Sequence, residues 1–475
     1  METYPLYLNG KFEVTDTFRA IVNPATGEAF AKMSVGSRAM LSQALQDAAS
    51  ALKAWQRTTG KERGQYLDRI ADQLQENSQE LAETVTLENG KTLTQSRAEV
   101  AAAIDHLRWF SEEARRAYGR IIPNQVAGKR HLIIKSPIGV VGAISPWNFP
   151  VMLAVRKIAP ALAAGCTVVL KPASQTPLSA VAVARAAHAA GLPPGVLQLV
   201  AGPAEELGAE FLENPICRKI TFTGSTEVGR RLIAGAADSV KPLSLELGGH
   251  APVIVFDDID MDRAIEGVLA AKFRNNGQSC IAANRIYVQR GLYERFVQEF
   301  ASRVSALKVA DGLEPGADIG PLVDQAGLKK ALEHINDALA RGARLVCGGK
   351  RIDRQGFFLE PTVLADVPED AVCMSEETFA PVAVFSPFDE EEEAISLANA
   401  TIYGLSAYAF TTDLDRTFRL MESLQAGTIA INDGVPSTSQ SPFGGVKQSG
   451  WGRELGMEGM DAFLETKHIS LGLRL

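Results

Sequence analysis

The sequence predicts an α/β protein of more than one domain, built on doubly wound parallel sheets. Three observations carry this expectation. A chain of 475 residues is long for a single hydrophobic core. From residue 131 onward, short β-type runs alternate with helical stretches, the pattern of a parallel sheet with crossover helices. After Gly248-Gly249 that alternation begins a second time, so the loop at Gly248 is a candidate domain boundary.

The elements follow in order. Between residues 37 and 55, Leu41, Ala44, Leu45, Ala48 and Leu52 recur at helical spacing, and the pattern continues through 62–86 and 92–118 with Leu67, Ile70, Leu74 and Leu81. β-type runs at 131–135, 140–144, 167–170, 197–200 and 219–223 then enclose helical stretches at 156–164, 178–190, 204–212 and 228–237. The second alternation places strands at 252–256, 285–289 and 428–431, with helices near 261–271 and 294–307. In the tail, 463–475, Ile469, Leu471 and Leu473 alternate with smaller or polar residues. A strand at a C-terminus leaves an open edge, which a second subunit can cover.

Composition excludes several functions. Hydrophobic residues at 46% and charged residues at 22% are globular values. A net charge of −8 with no basic run disfavours nucleic acid. No stretch approaches the roughly 20 apolar residues of a membrane span, and residues 1–10 lack a basic-then-apolar leader, so secretion is not expected. The five cysteines are scattered without a CxxC pair, and the six histidines show no HxH or HxxxH spacing. Neither a disulfide framework nor a bound metal is expected, and a reducing cytoplasm fits best.

Five segments could carry chemistry. In Phe273-Arg274-Asn275-Asn276-Gly277-Gln278-Ser279-Cys280, a cysteine follows a turn sequence, so backbone amides can point at whatever the sulfur binds; a small buried hydrophobe is the alternative. In Leu245-Glu246-Leu247-Gly248-Gly249-His250, a carboxylate between leucines is partly desolvated, which raises its pKa toward that of a general base, although a cap or ion-pair partner reads the same way. Ser145-Pro146-Trp147-Asn148-Phe149-Pro150 holds an asparagine whose amide suits a developing oxyanion, or merely satisfies its own turn. Phe222-Thr223-Gly224-Ser225-Thr226-Glu227-Val228-Gly229 is a Gly/Ser turn entering a helix, where a pyrophosphate can bind, but it departs from the G-x-G-x-x-G fingerprint. In Glu376-Glu377-Thr378-Phe379-Ala380-Pro381-Val382, a carboxylate and an aromatic could grip a ribose and a nicotinamide, or form a solvated pair before a strand.

In this order and together, the five segments resemble the aldehyde dehydrogenase superfamily. The resemblance runs from Asn23-Pro24-Ala25-Thr26-Gly27 to Pro442-Phe443-Gly444-Gly445-Val446-Lys447-Gln448-Ser449-Gly450. It implies two doubly wound α/β domains plus a small β oligomerisation arm: 1–117 with 139–247 binding NAD(P), 248–447 carrying the nucleophile, and 118–138 with 448–475 forming the arm of a homodimer or homotetramer. It also implies roles. Cys280 is the nucleophile, Glu246 the base, and Asn148 with the Cys280 amide the oxyanion hole. Gly224, Ser225 and Gly229 form the pyrophosphate turn, with Ser145, Trp147 and Leu247 also on the cofactor. Glu377 and Phe379 clamp the nicotinamide ribose, and Lys171 holds the adenosine ribose. Coenzyme-A-acylating relatives generally lack the carboxylate at Glu246, so release as a free acid is implied.

Cofactor and substrate follow from departures within that resemblance. Ser174 stands where NAD-strict members carry a glutamate. Its hydroxyl removes the repulsion of a 2′-phosphate, with Lys171 nearby as a cation. NADP is therefore the preferred expectation, with NAD also used; a Ser174 that is merely small leaves NAD as cofactor. Arg156, Arg274 and Ser437 resemble the carboxylate-binding set of succinate-semialdehyde dehydrogenases, in which guanidiniums give charge-assisted bonds to a distal acid. The tail from Phe463 is also similar to that subgroup, while 245–255 and Ala117-Tyr118-Gly119-Arg120 resemble 2-oxoglutarate-semialdehyde dehydrogenases. Many succinate-semialdehyde enzymes place a second cysteine two residues after the nucleophile; Ala282 stands there, so that disulfide switch is expected to be missing. Two alternatives remain open on sequence: a dehydrogenase of neutral aliphatic or aromatic aldehydes, with both arginines structural, and a non-catalytic binding or structural protein on the same scaffold. Arg274, six residues before Cys280, is further expected to lower the thiol pKa.

Overall fold

The computed structural model describes residues 1–474; Leu475, the last residue of the expected arm, lies outside them. Five short strands open the chain, Glu2–Tyr4, Leu6–Leu8, Lys11–Glu13, Phe18–Asn23 and Glu28–Ser34. The first three, of three residues each, span too little chain to show a period of two. Helix Arg38–Trp55 follows as expected, capped by the Ser37 hydroxyl. The stretch read as one helix over 62–86 is two, Gly60–Glu76 and Ser78–Asn89. The break falls at Asn77, whose amide bonds back to the Gln73 carbonyl at 2.8 Å and so competes with helix continuation.

The first large sheet has eight strands. Gly450–Trp451, Leu243–Glu246, Cys217–Thr223, Val140–Ile144, Thr167–Lys171, Leu197–Leu199, Leu6–Leu8 and Lys11–Glu13 lie side by side in that order. The five central strands run parallel, and the outer ones are antiparallel. All residues of Thr167–Lys171 are buried, as a parallel strand covered on both faces requires. Helix Met152–Ala164 is buried along all 13 residues.

Residues 247–250 carry the chain into a second sheet of seven strands. Its order is Arg344–Cys347, Thr362–Ala365, Val382–Phe388, Ala283–Gln289, Ala251–Val255, Ser406–Phe410 and Thr428–Ile431, parallel except at the first strand. A small antiparallel sheet joins Arg120–Ile122, Lys129–Pro137 and Leu464–Gly472, the last two through nine consecutive pairs. Leu464–Gly472 is an edge strand and almost wholly exposed.

This topology fixes where chemistry can occur. In doubly wound sheets, the loops beyond the carboxyl ends of the strands build the binding crevice. Ser145 to Asn148 follow strand Val140–Ile144, Lys171 ends its strand with Ser174 beyond, Gly224 and Ser225 follow Cys217–Thr223, and Glu246 ends Leu243–Glu246. From the second sheet, Cys280 and Glu377 with Phe379 lie just before the amino ends of Ala283–Gln289 and Val382–Phe388.

Candidate active site

Three successive left-handed residues, Asn275, Asn276 and Gly277, lead into Cys280. Asparagine tolerates this backbone because its short amide can bond locally, and here every such bond has a use. Asn275 donates to the Asn148 carbonyl at 2.9 Å and the Gln278 carbonyl at 2.8 Å. Asn276 donates to the Pro321 carbonyl at 2.9 Å and accepts from the Gly320 amide at 2.8 Å. The Cys280 loop is thus pinned from two sides. Gly249 is needed for the same approach: a Cβ there would lie 2.1 Å from the Cys280 carbonyl oxygen.

Cys280 lies at a cavity of about 180 Å³ with Trp147, Asn148, Gly224, Ser225, Leu247, Glu377 and Phe379. The sulfur is reachable, yet burial pushes its pKa up to about 12, with the Glu377 and Glu246 charges adding to the rise. Arg156 opposes this and loses. The expectation that a neighbouring arginine lowers the thiol pKa is therefore corrected: desolvation of the thiolate outweighs the nearby cation. The sulfur needs a proton acceptor.

Glu246 has the character of one. Burial, then repulsion from Glu454, raises its pKa well above the ordinary carboxylate range, against the pull of Lys157 and Arg156. Its Oε2 is buried without a hydrogen-bond partner. Glu454 in turn holds the Lys157 ammonium at 2.8 Å, and Lys157 also donates to Thr223 at 2.7 Å. Neither Lys157 nor Glu454 was singled out from sequence. A lysine inside the apolar helix 152–164 is a signal that could have been read, whereas Glu454, distant along the chain, gives none.

Asn148 is held by the backbone rather than by its flanking prolines. The fully buried Lys91 ammonium donates to its carbonyl at 2.7 Å and pairs with Glu99, which accepts from the amides of Val151 at 2.9 Å and Met152 at 3.2 Å. The Asn148 amide gives one hydrogen to the Gln278 carbonyl at 3.2 Å. Its second hydrogen remains for an oxyanion.

The expected cofactor residues cluster along the same crevice. Ser225 caps helix Thr226–Ala236, its hydroxyl accepting from the Val228 amide at 3.3 Å. Gly229 lets Leu247 pack, since a Cβ would meet Leu247 Cδ2 at 2.5 Å. The Gly224 amide bonds the Glu246 carbonyl at 3.0 Å, and the Ser145 amide bonds that of Lys171 at 3.1 Å. Glu377 accepts from the Gly249 amide at 3.3 Å, and burial lifts its pKa to about 7. Phe379 adopts φ +55°, a strained backbone for an aromatic residue, and stacks edge-on against Trp147 with ring centroids 5.4 Å apart. Ser174 lies apart from these, in a second cavity lined by Arg19, Ser34, Gly202 and Pro203. Among the described residues the Lys171 ammonium donates only to the Pro172 carbonyl, and burial with the Arg19 charge depresses its pKa to about 8. Arg19 was not anticipated.

The structure also brings together Arg156, Arg274 and Ser437. Arg156, 4% exposed, donates to Ser437 Oγ at 3.1 Å and to His106 Nε2 at 3.1 Å, and lies over the Phe443 ring. Arg274 lies over the Phe149 ring and, among the described residues, makes neither a hydrogen bond nor an ion pair from its side chain. Arg156 feels the Arg274 charge, and both feel that of Cys280. No group of side chains suited to a metal ion occurs among the described residues.

Comparison with known proteins agrees with this architecture. A model of the aldehyde dehydrogenase family matches residues 13–469. A glutarate-semialdehyde dehydrogenase of Pseudomonas aeruginosa is 48% identical over 98% of this chain and 97% of its own length. An NADP(+) succinate-semialdehyde dehydrogenase of Escherichia coli is 47% identical with the same coverage. The crystal structure of an E. coli NADP-dependent enzyme superposes with a TM-score of 0.98 at 46% identity, covering 99% of this chain and 98% of the other. With sheets, crevice and cysteine loop arranged as described, the chain belongs to the aldehyde dehydrogenase family.

Proposed function

We propose that the chain oxidises an ω-semialdehyde acid of four or five carbons, succinate semialdehyde first, to the free dicarboxylic acid, with NADP preferred and NAD also accepted. One observation carries the substrate assignment: among the described residues, two guanidiniums beside the nucleophile have no carboxylate bonded to either. The Glu454 and Glu246 charges reach Arg156 only through space; a buried cation without a bonded counter-charge is costly, and the distal carboxylate of the substrate supplies one. A neutral aldehyde leaves that cost in place. The two semialdehyde dehydrogenases reported above support the same reading.

The chemistry follows from the residues. Cys280 adds to the aldehyde carbon as its proton moves toward Glu246. The Asn148 amide and the Cys280 backbone N–H hold the oxyanion, each worth about 3 kcal/mol. The nicotinamide, when bound, supplies the hydride acceptor. After passing the thiol proton to solvent, Glu246 deprotonates the water that attacks the thioester, and the acid leaves as the Cys280 sulfur takes the proton back from Glu246. The capped helix at Ser225 fits a pyrophosphate, Glu377 fits a ribose, and the cations Lys171 and Arg19 near Ser174 fit a 2′-phosphate.

In this reading residues 1–117 and 139–247 bind the dinucleotide, 248–447 carry the nucleophile, and 118–138 with 448–475 pair subunits into a homodimer or homotetramer. The open edge at Leu464–Gly472 and exposed Tyr118, Ile121 and Leu471 support the arm. The five cysteines are all free, which fits a reducing cytoplasm. No helix among the described residues is long and apolar enough to cross a membrane. Steady-state kinetics of a semialdehyde panel with NAD and with NADP test the whole reading. Equal kcat/KM for succinate semialdehyde and butyraldehyde overturns the substrate assignment.

A further inference from the structure

The substrate pocket is tied to a polar chain that the reaction itself does not use. His106, on helix Leu93–Glu113, is 3% exposed. Its Nε2 lies 3.1 Å from Arg156 Nε, and its Nδ1 lies 2.8 Å from Ser439 Oγ. Ser439, itself buried, bonds the Asp105 carboxylate.

Donor and acceptor roles in this chain are forced. An arginine Nε–H can only donate, so His106 Nε2 must accept. The imidazole is therefore neutral and carries its proton on Nδ1, which donates to Ser439 Oγ. The serine hydroxyl hydrogen is then left for Asp105, which as a carboxylate can only accept. Burial, and then the Arg156 charge, depress the His106 pKa well below its ordinary value, which keeps the ring neutral.

The consequence concerns the guanidinium. A buried arginine is usually held by a carboxylate, which neutralises its field as it fixes its position. Here the negative charge of Asp105 sits two hydrogen-bonded groups away, and a neutral ring makes the contact. Nε is fixed, Nη2 reaches Ser437, and Nη1 has no hydrogen-bond partner among the described residues. We propose that His106, backed by Ser439 and Asp105, is the positioning residue that orients Arg156 without neutralising it, so that the guanidinium keeps its charge for the distal carboxylate of the substrate. This rests on the semialdehyde-acid reading given above.

The test is kinetic and uses two four-carbon aldehydes, succinate semialdehyde and butyraldehyde, with the full-length enzyme carrying His106→Phe, His106→Gln, Ser439→Ala or Arg156→Met. His106→Phe is expected to raise KM for succinate semialdehyde about tenfold, to change its kcat less than threefold, and to leave butyraldehyde kinetics unchanged. His106→Gln, whose Oε1 can still accept from Nε, is expected to restore KM to within about threefold of the parent enzyme. An equal fall in kcat/KM for both aldehydes, or no rescue by glutamine, overturns the proposal in favour of a packing role. If His106→Phe does not fold, Ser439→Ala carries the test, with a KM increase of about threefold confined to the acid. Arg156→Met separates the two readings. If it leaves the preference for the acid intact, the substrate reading fails; if it abolishes that preference while the His106 and Ser439 variants retain it, only the positioning role fails.

Discussion

Replacing Glu246 by glutamine isolates one carboxylate in a site crowded with charge. The amide is nearly isosteric, and Glu246 Oε2 has no hydrogen-bond partner to lose. The Lys157–Glu454 pair stays intact, and the repulsion between Glu454 and Glu246 disappears. The fold should therefore survive. If Glu246 also takes the thiol proton, acylation slows as well and the burst is lost; if it serves only the water of thioester hydrolysis, acylation proceeds and deacylation stalls. One equivalent of NAD(P)H per active site then appears as a burst at 340 nm, followed by turnover slower by about 10²- to 10⁴-fold, or roughly 3–5 kcal/mol of barrier. The thioester should be trapped on Cys280 and visible by intact-protein mass spectrometry. The thiol adds a second readout. Burial pushes the thiol pKa up to about 12, so the sulfur is overwhelmingly protonated at pH 8. If Glu246 receives the thiol proton, iodoacetamide alkylates Cys280 more slowly in the variant. If it acts only through its charge, which raises the thiol pKa, alkylation becomes faster and Glu246 serves the water alone. A kcat within tenfold of the parent enzyme, with neither burst nor thioester, refutes the assignment.

Other expectations follow from the cofactor side and the scaffold. Ser174→Glu places a carboxylate in the cavity with Arg19, and kcat/KM for NADP should fall about 10- to 100-fold while that for NAD changes less than threefold. Lys171, whose pKa is depressed to about 8, loses its charge as pH rises through that value. The KM for NADP should accordingly rise between pH 7 and 9, with a smaller change for NAD. Lys91→Met leaves Glu99 charged and unpaired in a fully buried site, a loss of about 3–5 kcal/mol. Thermal denaturation should show a lower Tm and, because Lys91 holds the Asn148 carbonyl, residual activity should fall in kcat more than in KM. Deleting residues 464–475 strips Lys129–Pro137 of its nine-residue partner, and size-exclusion chromatography should show smaller or aggregated species.

What was legible in the sequence depended on how far a signal extends along the chain. Helix Arg38–Trp55 is visible because its five apolar positions recur within 18 residues. The central strands of the first sheet are visible because burial on both faces makes them short apolar runs. The five motifs were legible because each spans a loop next to a strand or helix. The opening strands had no such support, since Glu2–Tyr4 and Lys11–Glu13 hold no fully buried residue. Nor can local pattern reveal pairs such as His106 with Ser439 or Lys157 with Glu454, whose members lie 333 and 297 residues apart.

The thiol shows why the electrostatics were harder to read than the geometry. Proximity in sequence identified a cation near Cys280, and the structure does place Arg156 and Arg274 beside it. Proximity alone gave the wrong sign, because the same packing that gathers the arginines removes water from the sulfur and brings Glu246 and Glu377 near it. In a low-dielectric site, every charge is felt more strongly and every ion is less welcome. The arginines are therefore better matched to a full negative charge that arrives with the substrate than to the thiolate, which exists only transiently. Binding that carboxylate neutralises Arg156, which otherwise favours Glu246 in its charged form. It should thus raise the proton affinity of Glu246 as the thiol gives up its proton. Under the proposed function, the distal acid both selects the substrate and adjusts the base that serves its oxidation.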